Sequence, residues 1–299
     1  MSEANAQTEP PVLVDRYGSS NQIGRITLNR PQALNALSPD LLWDFEMALK
    51  EFEADNDVKV IVIRGNGRAF SSGYDLMGGG QRKPGMPPPV GGQRNTYEPQ
   101  PGRRLIMNTR TNMVRVADMY LYFWNMAKVT IAQVHGYCLA GGCELAMMAD
   151  LVIAAEDAQI GHPGVRFSTS RTAANWPLII GMRRAKELLF TGDTVSGRVA
   201  EEIGMINRAV PADQLEAEVE RWAERISVNS ADLLALNKRS VNAFFEPLIY
   251  PGIHAATDTD AMGGSTEQNF MWQDKIREGG MREAISWRDG RYRDAPQIH

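Results

Sequence analysis

The stretch His135–Ala146 holds the residue types in this chain that are best suited to chemistry. Adjacent glycines, Gly141 and Gly142, follow a strand-like apolar run and open a helical pattern, with Glu144 in its first turn. Glycine lets a ligand approach the backbone closely, and a helix start offers unpaired N–H groups and a positive dipole end. An oxygen gaining negative charge would be stabilised there, and Glu144 could move a proton, which suits chemistry on an enolate.

A second glycine-bearing turn lies within Arg64–Leu76, after a buried strand pattern. Its Gly65-Asn66-Gly67 element is not a dinucleotide fingerprint, because no third glycine arrives at the required position. The Ser71-Ser72-Gly73 turn could direct backbone N–H groups toward Gly141, and two donors from separate turns would form an oxyanion hole. The structural alternative for the first segment is that double glycines often mark only a tight helix–strand approach, and that an acidic residue in a first helical turn commonly compensates the helix dipole.

The elements that must position these turns alternate between strands and helices. A strand hairpin is predicted over Val12–Tyr17 and Ile23–Asn29, followed by a helix with Ser38 as N-cap and Pro39 at its first position. Further strands are predicted over Val58–Ile63, Val129–Val134 and Leu151–Ala154. This order predicts an α/β fold with parallel strand pairing and helices packed outside.

Strand signals stop after about residue 209, and amphipathic helical patterns occupy residues 211–226 and 231–245. More helix is expected through residue 274 and over 281–287. We therefore divide the chain into a disordered tail (1–11), an α/β core (12–209) and a C-terminal helical region (210–299).

Residues 77–104 form a Gly/Pro-rich insertion that cannot hold regular structure. Because it follows the Ser71–Gly73 turn directly, it is either a lid over the site or a surface insertion. The aromatic residues on the helix predicted behind it either shape a pocket for a bulky, ring-containing group or pack in the core. These residues are Tyr120, Tyr122, Phe123 and Trp124.

Composition excludes several function classes. The chain has 299 residues, 43% of them hydrophobic, and a net charge of −4, which gives no reason to expect a nucleic-acid or membrane partner. Its two cysteines, Cys138 and Cys143, lack metal-ligand spacing, so neither a metal site nor a disulfide framework is expected. Residues 1–11 contain two glutamates and no basic residue, which argues against a targeting peptide and favours a cytoplasmic location.

Several ordered motifs in this chain resemble those of the crotonase superfamily, the enoyl-CoA hydratase and isomerase group. The resemblance covers roughly residues 12–250 and implies a ββα superhelix, or spiral, with a C-terminal helical trimerisation region. The matching segments are Ile26–Pro31, Leu34–Leu37, Arg68–Leu76, Gly136–Asp150, Gly161–Pro163, Thr191–Asp193 and Lys238–Asn242.

The resemblance also implies roles for individual residues. The backbone N–H groups of Ser72 and Gly141 would hold the thioester carbonyl oxygen of an acyl-CoA, and Glu144 would be the catalytic acid/base. No separate cofactor is implied, because the substrate itself carries coenzyme A. The residues expected to line the path of the CoA moiety or contact its phosphates are Ala33, Leu34, Ser71, Gly73, Tyr74, Asp75 and Lys238. The expected assembly is a homo-oligomer, either a trimer or a hexamer.

The chain departs from the superfamily pattern at the second catalytic carboxylate of typical hydratases, where it has Gly164. His162, Arg171 or Asn175, in the same loop, could supply the missing function. His162 has a reference pKa suited to acid–base work near neutral pH, although histidines in turns are often simple hydrogen-bonding residues.

The sequence is therefore interpreted as an enoyl-CoA hydratase-type lyase, with Glu144 as its acid/base. Double-bond isomerisation or hydrolytic C–C cleavage on the same enolate is the first alternative, because a lone carboxylate can still carry a proton between carbons. A non-catalytic protein that binds CoA esters is the second, and the presence of Glu144 weighs against it.

Overall fold

The computed structural model describes residues 9–76, 80–89, 106–166, 175–293 and 295. Its strands, in chain order, are β1 (Val12–Tyr17), β2 (Ile23–Leu28), β3 (Val60–Gly65), β4 (Ala69–Ser71), β5 (Val129–Val134), β6 (Tyr137–Leu139), β7 (Leu151–Ala155), β8 (Gln159–Gly161), β9 (Thr194–Ser196) and β10 (Arg208–Val210). Its helices are α1 (Pro39–Ala54), α2 (Ile106–Asn125), α3 (Gly141–Met147), α4 (Trp176–Ile179), α5 (Gly181–Thr191), α6 (Gly197–Glu202), α7 (Leu215–Ser227), α8 (Ala231–Gly263) and α9 (Glu267–Gly290).

The strands form two sheets. The larger has the order β1-β2-β3-β5-β7-β10, and the smaller has the order β4-β6-β8-β9. Three times, a strand of the large sheet is followed by a short parallel strand of the small sheet: β3 by β4, β5 by β6, and β7 by β8. These repeated turns confirm the predicted α/β spiral, and they bring the two glycine-bearing turns onto neighbouring strands of the small sheet.

The first elements form where their local sequence predicts them. Strands β1 and β2 pair antiparallel as the expected hairpin, and α1 begins at Pro39 with Ser38 as its N-cap. The Ser38 hydroxyl does not cap a backbone amide but donates to Asp40 Oδ1, at 2.5 Å. The apolar face of α1 is buried, as its spacing predicts, and Phe45 meets Phe123 of α2 edge to face at 5.6 Å between ring centroids.

Most of the aromatic cluster on α2 belongs to the core. Phe123 and Trp124 are buried, and the Tyr122 hydroxyl is bonded to Glu53 on α1. Tyr120 is also buried, but its hydroxyl points to a different set of partners, described below. Packing, rather than a pocket lining, therefore explains most of this cluster.

The C-terminal region is helical, as predicted, and its first helix is part of the core. Helix α7 buries Leu215, Val219 and Ala223 in the same hydrophobic core as the side chains of the large sheet. Helix α8 extends well beyond residue 245, where the sequence predicts its end. It continues through Pro247 and Pro251 while packing along α2. Tertiary contact thus outweighs the local preference of proline to end a helix.

The described part of the insertion, residues 80–89, is anchored to α1 and α2. The Gln81 amide donates to Asp40 at 3.2 Å, Lys83 is paired with Asp44, and Arg115 donates to the Pro88 carbonyl at 2.6 Å. The rest of the proposed lid, and residues 1–8 of the proposed tail, lie outside the described residues.

Candidate active site

Glu144 lies in the first turn of α3, as its position after the glycines predicts. The helix follows Ala140, whose φ of +47° turns the chain sharply, and the Glu144 amide donates to the Ala140 carbonyl at 2.9 Å. The residue is only 4% exposed. A carboxylate this deeply buried must have hydrogen-bond donors, because an unsolvated charge without partners is very costly.

Two side chains bind the two oxygens of this carboxylate. The Tyr74 hydroxyl donates to Oε2 at 2.6 Å, and Nε2 of His162 lies 3.0 Å from Oε1. His162 follows β8 and is 3% exposed, so the dyad is enclosed by protein. The sequence placed His162 in the same turn as the missing carboxylate, and the structure brings it into direct contact with Glu144.

A pair of tyrosines extends this network in a way that sequence reasoning missed. Tyr74 was expected only to line the path of CoA, and Tyr120 was expected only to shape a pocket or pack. Their hydroxyl oxygens are 3.1 Å apart, and the Tyr120 hydroxyl also lies 3.3 Å from the Gly141 carbonyl oxygen. The available signal was a tyrosine in a glycine-bearing turn and another on a helix face, each carrying a polar tip.

The two glycine-bearing turns meet, as predicted. Gly73 has a φ of +99°, and a Cβ there would come within 2.9 Å of the Leu139 carbonyl oxygen and 3.3 Å of the Gly141 nitrogen. A Cβ on Gly141 would come within 2.7 Å of the Tyr74 ring. Glycine is required at both positions because no side chain can fit between the turns.

The prediction that the Ser72 N–H faces the oxyanion site is wrong. This amide donates to the Leu34 carbonyl oxygen at 2.9 Å, on the outer side of the turn. Its bond holds the Ser71–Gly73 turn against the segment after β2, so the amide is a structural donor. The sequence could identify the turn but not which of its amides points inward, because that depends on a pairing partner almost forty residues away.

The pairing between this turn and the segment around Leu37 determines which way the Tyr74 N–H faces. Leu37 donates to the Gly73 carbonyl at 2.8 Å, and Asp75 donates to the Leu37 carbonyl at 3.2 Å, in a parallel bridge between Leu37 and Tyr74. In such a bridge the residue in register turns its own N–H away from the partner segment. The positive φ of Gly73 therefore reverses the alternation after Ser72, and the Tyr74 N–H is turned away from the Leu37 segment.

Several residues expected along the CoA path instead hold the turn in place. Ser71 is buried and its hydroxyl donates to the Asn35 carbonyl at 2.8 Å. The Asp75 carboxylate is paired with Arg30 at 2.7 Å. Ala33 ends a 3₁₀ turn beside Leu34, and both are half-buried. The side chains of Ala33 and Leu34 are consistent with lining the path of CoA, whereas those of Ser71 and Asp75 are hydrogen-bonded or paired within the protein.

The prediction that Lys238 contacts a CoA phosphate is wrong in this structure. Its ammonium group lies 2.8 Å from Asp150 Oδ2 and 2.9 Å from the Lys128 carbonyl oxygen, with the side chain only 7% exposed. Asp150 also accepts from the Thr130 amide at 2.8 Å. Lys238 therefore attaches α8 to the sheet rather than binding a ligand.

We expect Lys238→Met to lower the free energy of unfolding by about 3 kcal/mol, because it leaves the largely buried Asp150 carboxylate without its counter-ion. The apparent affinity for a CoA ester should be unchanged. Chemical denaturation and ligand titration measure the two quantities. Lys275→Met, which breaks an exposed pair with Glu278, is the matched control and should change stability little. A loss of CoA affinity without a loss of stability would contradict this assignment.

The loop after His162 does not supply a second carboxylate. Gly164 is buried in the 3₁₀ turn Pro163–Arg166. Asn175 donates its amide to the Met147 carbonyl at 2.5 Å, which satisfies the end of α3, so its role is structural. Trp176 is fully buried and meets the His162 ring edge to face at 6.4 Å. Arg171 lies outside the described residues, so His162 is the one candidate of the three that the structure places on Glu144.

Other reactive groups in the described residues do not form a competing site. Cys138 and Cys143 are buried free thiols, and burial raises the pKa of the Cys143 thiol well above its usual value, so it stays neutral. No cluster of potential metal ligands occurs among the residues with described positions. Within that same part of the chain, no helix is both long and apolar enough to cross a membrane.

Comparison with known proteins agrees with this architecture. The sequence model of the enoyl-CoA hydratase/isomerase family matches residues 18–92 and 103–271. A mitochondrial enoyl-CoA hydratase of Pongo abelii is 32% identical over an alignment of 248 residues that covers 81% of this chain and 76% of that protein. A crystal structure of an enoyl-CoA hydratase/isomerase from Xanthobacter autotrophicus Py2 is 34% identical and superposes with a TM-score of 0.82, covering 95% of this chain and 99% of that one.

A second solved structure, an enoyl-CoA hydratase from Mycobacterium smegmatis, is 29% identical and has a TM-score of 0.84 over 98% of both chains. The sequence match extends over both glycine-bearing turns and into the helical region as far as residue 271, and the structural match covers the spiral. The chain belongs to the enoyl-CoA hydratase/isomerase family, within the crotonase superfamily.

Proposed function

We propose that this enzyme is an enoyl-CoA hydratase-type lyase, which adds water across the double bond of an α,β-unsaturated acyl-CoA thioester. The observation that carries the proposal is the Glu144 carboxylate, buried beside the Gly141 turn with donors on both oxygens. Acyl-CoA as the substrate class is supported by the names of its relatives, which are enoyl-CoA hydratases. Coenzyme A then enters as part of the substrate, so the proposed reaction needs no separate cofactor.

The proposed oxyanion hole consists of the backbone N–H groups of Gly141 and Tyr74, with Tyr74 in place of Ser72. Gly141 is the first residue of α3, where helical N–H groups have no partner within the helix. The bridge to Leu37 leaves the Tyr74 N–H facing away from that segment, and Tyr74 is adjacent to Gly141, where an added Cβ would lie 2.7 Å from the Tyr74 ring. Two amides from different loops then donate to one thioester oxygen and stabilise the charge that develops on it.

In the proposed reaction, Glu144 takes a proton from water as the water oxygen bonds to the β-carbon. The electron pair of the double bond moves to the thioester oxygen, which forms the enolate held by Gly141 and Tyr74. Protonation of the α-carbon by the Glu144 carboxylic acid returns the electron pair to carbon and regenerates the carboxylate. His162 fixes the orientation of Glu144 through Oε1.

Two alternatives remain as outcomes of the test. Because Gly164 removes one carboxylate, a single acid/base could instead move a proton between carbons and shift a double bond, or support C–C hydrolysis. The protein could also bind CoA esters without turnover. A buried Glu–His dyad favours turnover, since it places a titratable pair at the proposed reacting atoms.

Isotope labelling separates these reactions. The enzyme would be incubated with crotonyl-CoA and with branched and cyclic enoyl-CoA esters, in H₂¹⁸O and separately in D₂O. Hydration predicts ¹⁸O at the β-carbon and one deuterium at the α-carbon. Deuterium exchange with bond migration and no ¹⁸O would instead establish an isomerase, and the absence of both on every ester would remove the hydratase proposal.

We also propose that the chain forms a homo-oligomer, a trimer or a pair of trimers, through α8. A helical stripe of large apolar side chains is exposed on this helix, with spacings of three to five residues: Leu233, Leu236, Val241, Phe244 and Leu248. Phe244 alone is 80% exposed, and contiguous apolar surface of this kind marks an interface. Sedimentation equilibrium at micromolar concentration should give three or six times 33.2 kDa, and a monomer would contradict the proposal.

A further inference from the structure

The Glu144 carboxylate is bonded to a chain of two hydroxyl groups that the proposed reaction does not use. The chain begins at Oε2, passes through the Tyr74 hydroxyl at 2.6 Å and the Tyr120 hydroxyl at 3.1 Å, and ends at the Gly141 carbonyl oxygen at 3.3 Å. Its two ends lie on the same helix, α3, only three residues apart. Tyr74 comes from the turn after β4 and Tyr120 from α2, so the network connects three separate parts of the fold.

We propose that Tyr74 and Tyr120 are positioning residues that keep Glu144 hydrogen-bonded in both of its protonation states, by reversing the direction of this hydroxyl chain. The inference rests on the proposed function, in which Glu144 must gain and lose a proton in every turnover. A buried polar group that loses its partner incurs the full desolvation penalty. A buried acid/base therefore needs partners that can switch between donating and accepting as it gains or loses its proton.

When Glu144 is ionised, Oε2 is an acceptor only. Tyr74 then donates to it, and Tyr120 donates either to the Tyr74 oxygen or to the Gly141 carbonyl. Hydrogen bonds from neutral donors stabilise the charged form of a carboxyl group. The short distance of 2.6 Å between the Tyr74 oxygen and Oε2 fits a donor facing a charged acceptor.

When Glu144 carries the proton on Oε2, the carboxyl group becomes a donor and the Tyr74 oxygen must accept. The Tyr74 hydrogen then rotates toward the Tyr120 oxygen, and the Tyr120 hydrogen turns to the Gly141 carbonyl. The geometry allows this reversal, because either of the two tyrosine oxygens can be the donor in their shared hydrogen bond. Neither tyrosine loses its proton, so only hydroxyl rotation accompanies the chemistry.

Other titratable groups near the Glu144 carboxylate could also respond to a change in its protonation state. His162 faces Oε1 from the turn after β8, and the thiols of Cys143, on α3, and Cys138, on β6, lie behind it. His162 can donate to Oε1 in both states. A reversible partner for Oε2 is therefore supplied by the tyrosine chain.

The proposal predicts opposite effects for two variants that each remove one hydroxyl. Tyr74→Phe removes a donor from the ionised carboxylate, so the acid limb of the kcat profile against pH should move about one unit to higher pH. Tyr120→Phe removes the acceptor that Tyr74 needs when Glu144 is protonated. Ionised Glu144 is then favoured, and the limb should move to lower pH. The matched control is Tyr122→Phe. Tyr122 lies on α2, as Tyr120 does, but its hydroxyl is bonded to Glu53 on α1, so this variant should not change the pH profile.

The kinetic measurement would use crotonyl-CoA, or the enoyl-CoA ester with the fastest turnover in the labelling experiment. A second measurement is independent of turnover: difference infrared spectra would follow the carboxyl band of Glu144 through a pH titration, with Glu144→Gln identifying the band. Shifts of opposite sign in both measurements support the proposal. Shifts of the same sign, or no shift, overturn it and leave the tyrosines with a purely structural role.

Failure of this inference can be distinguished from failure of the proposed function. If the wild-type protein hydrates no ester, the function is wrong, while the infrared titration still decides whether the tyrosine chain follows the proton. If Glu144→Gln abolishes hydration but the tyrosine variants do not move the titration, the function stands and the chain is structural.

Discussion

Replacing Glu144 with glutamine should reduce kcat for hydration by about 10²- to 10⁴-fold, the range that a positioned acid/base contributes. Glutamine keeps the shape of the side chain, and its carbonyl oxygen can still accept from the Tyr74 hydroxyl. The fold and the binding of the CoA ester should therefore be retained. What the variant loses is the ability to exchange a proton with water and with the α-carbon.

This prediction is measured by steady-state kinetics together with direct titration of the unreactive saturated thioester butyryl-CoA. Glu46→Gln is a suitable control, because Glu46 forms an i,i+4 pair with Lys50 on the outer face of α1 and the substitution should leave both quantities unchanged. Full turnover by Glu144→Gln on the best ester would show that another group handles the proton. A loss of butyryl-CoA binding as large as the loss of kcat would instead assign Glu144 to ground-state binding.

The second large effect is expected at Gly73, where alanine should lower kcat by about 10²- to 10³-fold, comparable to the loss of one oxyanion donor. A Cβ there would lie 2.9 Å from the Leu139 carbonyl and from the Ala140 Cβ, so the turns must separate. Separation moves the Tyr74 amide away from the Gly141 amide, and a preorganised pair of donors depends on that spacing.

Gly204→Ala separates backbone strain from displacement of the site. Gly204 has a φ of +74° with nothing within 4 Å of an added Cβ, so alanine there introduces strain without a clash. A positive φ costs an L-residue about 1 to 2 kcal/mol, so Gly204→Ala should lose stability of that order, and Gly73→Ala should lose more because it also clashes with the Leu139 carbonyl. Only Gly73→Ala should lose activity. Equal loss of activity in the two variants would mean that the effect is general destabilisation, and unchanged kcat in Gly73→Ala would contradict the proposed oxyanion hole.

Much of the fold could be predicted because its signals are local. The β1–β2 hairpin, α1 with its apolar face, and strands β5 and β7 follow from the alternation or helical spacing of apolar residues. The small sheet was missed because β4, β6, β8 and β9 have only three residues each, too few for a periodic pattern. The length of α8 was missed because its contact with α2 is not visible in its own sequence.

Within the site, the sequence by itself determined the glycine-bearing turns and the first-turn position of Glu144, because backbone freedom and helix starts depend on a few neighbouring residues. The tertiary structure decided which polar atoms meet. It bonded the Ser72 amide to Leu34 and assembled Tyr74, Tyr120 and His162 around Glu144 from other parts of the chain. The physical reason is that hydrogen bonds are short and directional, so their partners are fixed only after the spiral has packed its strands and helices together.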